Sequence, residues 1–177
     1  MILLLGCPEI NSIHIMSPEF KTAVHQFFDS QQIAVVGYSD KEDSPGKMIY
    51  DKLRREGYHV YAVNPKQPLM DEAWCYENLA SISSDIDGIV ICAPPYESLS
   101  IVEQAHILNV KTVWMHRSID NGSYSKEAED YCHEHGITCI SFGCPMMFLE
   151  PDFGHKCLKW FFNVKGEFSD EHVDRVI

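Results

Sequence analysis

Gly37-Tyr38-Ser39 follows a short apolar run, and Gly46-Lys47 stands where the next amphipathic segment opens. Residues of these kinds at this spacing suit a phosphate, and a plain strand–helix turn with no ligand is the alternative. Glycine lets backbone approach a ligand, Ser39 offers a hydroxyl, Lys47 a cation, and the free N–H groups of a helix start at Gly46 favour an anion. Asn64-Pro65-Lys66 closes a second apolar run. Dinucleotide folds that take NAD place an acid here for a ribose 2′-hydroxyl, whereas a lysine suits a phosphorylated ribose, as in coenzyme A or NADP. Read alone, Lys66 fits a solvated loop charge equally well. Ala93-Pro94-Pro95-Tyr96 ends a third run. Its prolines remove backbone donors and stiffen the chain. They make a flat shelf for an adenine with Tyr96 beside it for stacking, or simply terminate a strand. Arg117, after a fourth run, adds a cation within reach of a phosphate.

Cys144 follows a fifth run. A thiolate near helix N-termini is activated and would accept an acyl group or exchange with a thiol, while a small buried residue fits the same place. His116 is the base that such a nucleophile would require, although nothing in the sequence sets the two in contact. Cys139, Cys144, His155 and Cys157, and separately Cys132, His133 and His135, lack the paired C-x-x-C spacing of a metal site, and no metal ligands are assigned.

The elements that must position these residues alternate. Ser17-Pro18-Glu19 predicts a helix start, continued by Phe20, Val24, Phe27 and Phe28. Strands are expected at Ile33–Val36, His59–Val63, Asp87–Ala93, Lys111–Met115 and Ile137–Phe142. Helices are expected at Gly46–Glu56, Tyr96–Leu108, Ser125–His135 and Asp152–Val164. The last should turn Phe153, Cys157, Trp160, Phe161 and Val164 to its packed side, as core cover or as the surface of a homodimer. Trp74–Ile82 reads as an irregular connection over a sheet edge. Near-continuous apolar strands separated by helices predict an α/β, Rossmann-like, doubly wound parallel five-stranded sheet with helices on both faces. The expected strand order is 3-2-1-4-5, with a ligand beyond the carboxyl ends where the first and fourth strands part.

Composition narrows the function. A net charge of −12 in 177 residues excludes the broad basic face that duplex binding needs, so no nucleic-acid partner is expected. No run approaches the length of a membrane span. Seven cysteines without disulfide spacing read as reduced thiols, which predicts a cytoplasmic protein. Residues 1–17 read as an N-terminal extension, of which 1–15, upstream of a second methionine at Met16, are expected to take no part in packing, ahead of a single domain over 18–177.

The motifs Gly37-Tyr38-Ser39, Val63-Asn64-Pro65-Lys66, Cys92-Ala93-Pro94-Pro95 and Val113-Trp114-Met115 occur in the order found in small stand-alone CoA-binding domain proteins. The chain resembles these from about Gln31 to Leu149. They are in turn similar to the CoA-binding domain of the succinyl-CoA synthetase alpha subunit. Gly143-Cys144-Pro145-Met146-Met147-Phe148 and Asp152-Phe153-Gly154-His155-Lys156-Cys157 resemble one subgroup. The resemblance implies a Rossmann-like fold that binds coenzyme A through Gly37, Ser39, Lys66, Pro94 and Pro95. Many relatives carry glutamine and glycine after the tryptophan, where this chain has Met115-His116-Arg117-Ser118.

The expectation is a non-catalytic binding or regulatory module for coenzyme A or an acyl-CoA, more a binder than an enzyme. The alternative is an enzyme, either an NADP-dependent reductase or an acyl- or thiol-transfer protein using Cys144. The missing G-x-G-x-x-G pattern argues against the reductase.

Overall fold

A computed structural model describes residues 16–66 and 74–174. Its centre is a parallel sheet: β1 (Gln32–Val36), β2 (His59–Val63), β3 (Cys75–Tyr76), β4 (Gly88–Ile91), β5 (Thr112–Met115) and β6 (Thr138–Ile140). A two-residue antiparallel strand, β7 (Val173–Asp174), closes one edge on β6. The order is β3-β2-β1-β4-β5-β6-β7. The Rossmann-like, doubly wound architecture is therefore present, with six parallel strands rather than five.

The sixth strand corrects the expected order. Cys75–Tyr76 pairs with Ala62–Val63 and takes the place beside β2 that had been given to the Asp87–Ala93 segment. That segment instead lies directly against β1, with Ile33 opposite Gly88 and Val36 opposite Ile91. The chain thus reverses direction across the sheet between β1 and β4, so the switch point falls between the glycine loop and the proline loop.

The alternation of side chains along each strand builds two cores. Val35, Val90, Trp114 and Ile140 face one way and meet α1 (Pro18–Phe28), α2 (Pro45–Arg55) and the aromatic ring of Phe168. Ala34, Ile89, Val113 and Met115 face the other way and meet α3 (Pro95–Ile107) and α4 (Lys126–Glu134). Four of the helices begin where the sequence supplies a side-chain cap, and α3 begins at Pro94-Pro95 without one. Ser17, Ser44, Ser125 and Asp152 accept backbone N–H groups, and Pro18, Pro45 and Pro95 occupy the first turns.

At the ends of the chain one expectation falls outside the described residues and one needs correction. Residues 1–15 of the expected extension lie outside the described residues, but Met16 and Ser17 pack. The Met16 N–H donates to Asn163 Oδ1 at 2.9 Å, and Ser17 donates its N–H to the Phe168 carbonyl. The last helix, α5 (Phe153–Lys165), does not turn its expected side inward. Phe153, Cys157, Trp160, Phe161 and Val164 are exposed, and the helix is seated through Phe162 with Leu158 beside it. A helix with apolar residues around most of its circumference gives no unique inward stripe, which is why the periodicity misled.

Candidate functional site

At the carboxyl ends of β1, β2 and β4 lies a cleft of about 470 Å³. A neighbouring cavity of about 400 Å³ shares its Cys92-Ala93-Pro94 wall and continues to His116, Asp120 and Ser123. A larger hollow, about 790 Å³, lies elsewhere, between α1 and α5. In an open α/β sheet the crevice beyond the strand ends, at the switch point, is the ligand site, so the paired smaller cavities are the candidate.

The glycine loop shapes the cleft by letting main chains touch. Gly37 has φ of 87°, and a Cβ there would stand 2.6 Å from the Ala93 nitrogen. No side chain fits between β1 and β4 at this point. A Cβ on Gly46 would stand 2.8 Å from the Gly37 carbonyl oxygen, so the second glycine allows the start of α2 to rest on the end of β1. Ser39 accepts a weak 3.4 Å bond from the Lys41 N–H, and its carbonyl accepts from Ser44 Oγ at 2.9 Å. Ser44 in turn accepts from the Lys47 N–H. The cap oxygen of Ser44 serves Lys47, and the Gly46 N–H at the helix start has no protein acceptor among the described residues. Ser44 was not foreseen, although a serine before Pro-Gly-Lys is a cap signal.

Several expected ligand groups are otherwise engaged. Tyr38 is buried, its ring 5.2 Å from Tyr50 and edge-on, so it belongs to the core and only its backbone faces the loop. Burial pushes its phenol pKa up. Lys47 is not a free cation: Nζ lies 2.7 Å from Asp51 and 3.6 Å from Glu42. The Asp51 hydrogen bond holds its ammonium form above the usual lysine range. Arg117 lies across the rings of Tyr124 (5.0 Å) and Phe142 (5.6 Å) and lines neither cavity. Tyr96 is 80% exposed on α3 and is not among the residues lining the cleft.

The segment after β2 does line the cleft. Asn64 works as a strap: Nδ2 donates to the Tyr38 carbonyl at 2.6 Å, and Oδ1 accepts from the Lys66 N–H at 2.9 Å. That holds Pro65 and Lys66 at the rim, with Lys66 exposed and making no ion pair among the described residues. Ala93 and Pro94 form the opposite wall, and Pro95 opens α3. Residues that sequence reasoning missed complete it: Glu77 and Asn78 after β3, and Glu97, Ser100 and Gln104 from α3. With Ile101, the α3 residues stand at 97, 100, 101 and 104, a helix-face spacing that could have been read once the helix was placed beside the strand ends.

Cys144 is 3% exposed and sits in the core, and burial pushes its thiol up to about 12. A neutral, shielded thiol is a poor nucleophile, so the structure does not present Cys144 as a reactive group. Cys92 is the cysteine on the walls of both cavities, half-buried, and burial pushes its thiol up as well. His116 lines the second cavity, and burial lowers it from 6.5 to about 4, which keeps it neutral near pH 7. Gly122, also unforeseen, closes the same loop, where a Cβ would fall 2.2 Å from the His116 carbonyl oxygen. Among the described residues no three histidine, cysteine or acidic side chains gather as a metal site would require.

Comparison with known proteins points to one family. Residues 31–150 match the family model described as a CoA binding domain. An acetate–CoA ligase (ADP-forming) of Archaeoglobus fulgidus is 24% identical over 127 residues, which is 68% of this chain and 18% of the ligase. The chain therefore spans about a fifth of that relative. Among solved structures, a "hypothetical protein from Pyrococcus horikoshii OT3" is 26% identical with a TM-score of 0.67, over 79% of this chain and 94% of that one. A dinucleotide-forming acetyl-coenzyme A synthetase of Ca. Korarchaeum cryptofilum is 24% identical with a TM-score of 0.53, over 62% of this chain and 25% of the synthetase, and shows a shared fold. No helix among the described residues is long and apolar enough to cross a membrane. The family match covers the glycine loop, the Asn64-Pro65-Lys66 turn, the proline loop and Cys144 in one continuous stretch, and the chain belongs to the CoA-binding domain family.

Proposed function

We propose that this chain binds coenzyme A or an acyl-CoA in the cleft beyond β1, β2 and β4, as a binding module that makes and breaks no covalent bond. The observation that carries this reading is Lys66, exposed at the rim, held there by Asn64 and without an ion-pair partner among the described residues, in a chain of the CoA-binding family. Lys66 would take a ribose phosphate. Glu77, Glu97 and Gln104 suit hydroxyl and amino donors, and Pro94 with Ile101 offers apolar contact for an adenine face. The Gly46 N–H and the start of α2 would receive the diphosphate. The pantetheine arm would pass the shared Cys92-Ala93-Pro94 wall toward His116. Absence of bond chemistry is supported by what surrounds the candidates: Cys144 is buried and protonated, and His116 is neutral without an acid–base partner at hydrogen-bond distance among the described residues.

The test is calorimetric titration with CoA, acetyl-CoA, 3′-dephospho-CoA, NADP and NAD. CoA and acetyl-CoA should bind, dephospho-CoA should bind about tenfold more weakly because a charge-assisted contact is lost, and NAD should not bind. Binding of NADP without CoA would overturn the reading. Slow turnover of acetyl-CoA to free thiol, abolished in Cys92→Ala, would overturn its non-catalytic part.

A further inference from the structure

A hollow larger than either cavity of the site takes no part in it. It is a trough of about 790 Å³ between α1 and α5, floored by Val24, Phe28, Phe148 and Leu149 and walled by Trp160. Trp160 is 68% exposed, and Phe153, Phe161 and Val164 extend the apolar surface along the same helix. Contiguous apolar surface of this kind marks a contact site.

The trough gathers lysines in a chain that is strongly acidic as a whole. The molecule carries −12, and Lys47, Lys52 and Lys126 are each neutralised by a carboxylate. Lys21 on α1 and Lys156 and Lys159 on α5 line the trough, and none has an ion-pair partner among the described residues. One carboxylate, Asp29, shares the lining with them. Lys159 Nζ stands 4.4 Å from the centre of the Phe148 ring, over the apolar floor itself. Burial lowers its pKa, the response of an ammonium that has lost water without gaining a carboxylate.

We infer that the α1–α5 trough receives an acidic amphipathic helix of a partner protein, its apolar stripe on the floor and its flanking carboxylates on the lysines of the two banks. Apolar floor with cations on both sides is the complement of such a helix, and helix-in-groove docking is a recurring mode. The apolar surface continues along α5 beyond the hollow, more than a single anionic amphiphile would cover. A second copy paired about a two-fold axis through the trough would set lysines against lysines, which costs affinity.

Two synthetic peptides test this on the full chain. Both place leucine at i, i+3, i+4 and i+7; one is flanked by glutamate and the other by lysine. At low salt the glutamate peptide should bind about tenfold or more tightly than the lysine peptide, with a change in Trp160 fluorescence, and added CoA should not displace it. A Lys156→Glu/Lys159→Glu variant with unchanged melting temperature should lose that preference, and Trp160→Ala should weaken binding. Equal affinity for the two peptides, or binding of neither, overturns the inference. So does displacement of the peptide by stoichiometric dodecanoate, or a dimer in sedimentation that Trp160→Ala dissolves.

Discussion

Lys66 and Lys47 are the same residue type in adjacent loops, and what surrounds them decides their roles. Lys47 already has Asp51, while Lys66 is exposed at the rim with no ion-pair partner among the described residues, so Lys66→Ala should weaken CoA several-fold and leave the melting temperature unchanged. Lys47→Ala should change CoA affinity much less. Equal losses in parallel titrations would show that Lys47 leaves its carboxylates on binding. Sequence alone could name both lysines but not rank them, because the ranking depends on side chains that reach across a helical turn. The thiols divide in the same way. Alkylation of the native protein, followed by peptide mass, should label exposed Cys157 first and leave Cys144 unlabelled, with slow labelling of Cys92 that CoA slows further. Labelling of Cys144 at the rate of Cys157 would contradict the burial described. His116 supplies a pH effect with a definite sign. Its folded pKa, about 4, lies below its ordinary 6.5, so the unfolded state binds the proton more readily. That contribution is fully present above pH 6.5 and is lost as pH falls toward 4, by on the order of 2 kcal/mol after allowing for partial exposure. Urea midpoints should fall across that window in the wild type and fall less in His116→Gln.

Among the elements, those with a strong local signal were legible and those set by tertiary contact were not. Ser17-Pro18, the apolar run at Ile33–Val36 and the glycine after Glu56 each carry their own physical reason, and α1, β1 and the end of α2 stand where those reasons place them. β3 has two residues and no periodicity, and it exists because the exposed edge of β2 offers a ladder. Missing it displaced the Asp87–Ala93 strand by two places and hid Glu77, which follows β3 directly into the cleft. The inward face of α5 was equally hidden, since Phe161 and Phe162 are identical in type and only the position of the sheet distinguishes them. That distinction is measurable. Phe162 touches Phe142 edge-on at 5.1 Å and is buried, so Phe162→Ala should cost about 3 kcal/mol or more, whereas Phe161→Ala should stay under about 1 kcal/mol. Comparable losses in denaturant midpoint would mean that α5 is seated differently. Gly37 is the reverse case, an element junction visible in sequence but for an incomplete reason. It was read as room for a ligand, and the structure adds the 2.6 Å approach to β4 that makes the same glycine necessary for the sheet itself.

For the whole molecule, the excess of carboxylates sets a condition on any phosphate ligand. A net charge of −12 repels a polyanion at long range, while Lys66 at the cleft rim and the start of α2 at the adjoining cavity attract it only at close range. The Debye length falls from about 30 Å at 0.01 M salt to about 10 Å at 0.1 M, which screens the distant carboxylates before it reaches contacts at a few ångströms. Association of CoA should therefore accelerate as salt is raised over that range, while dissociation also accelerates because the lysine contact weakens. Stopped-flow traces using the emission of a fluorescent CoA analogue separate the two rates. In Lys66→Ala the salt dependence of dissociation should shrink and that of association should persist, since the −12 field is almost untouched by one substitution. An association rate that falls with salt would mean that the cleft's local potential is positive well beyond its rim. In that case the acids on its walls, Glu77 and Glu97, would have to be neutralised when the ligand arrives.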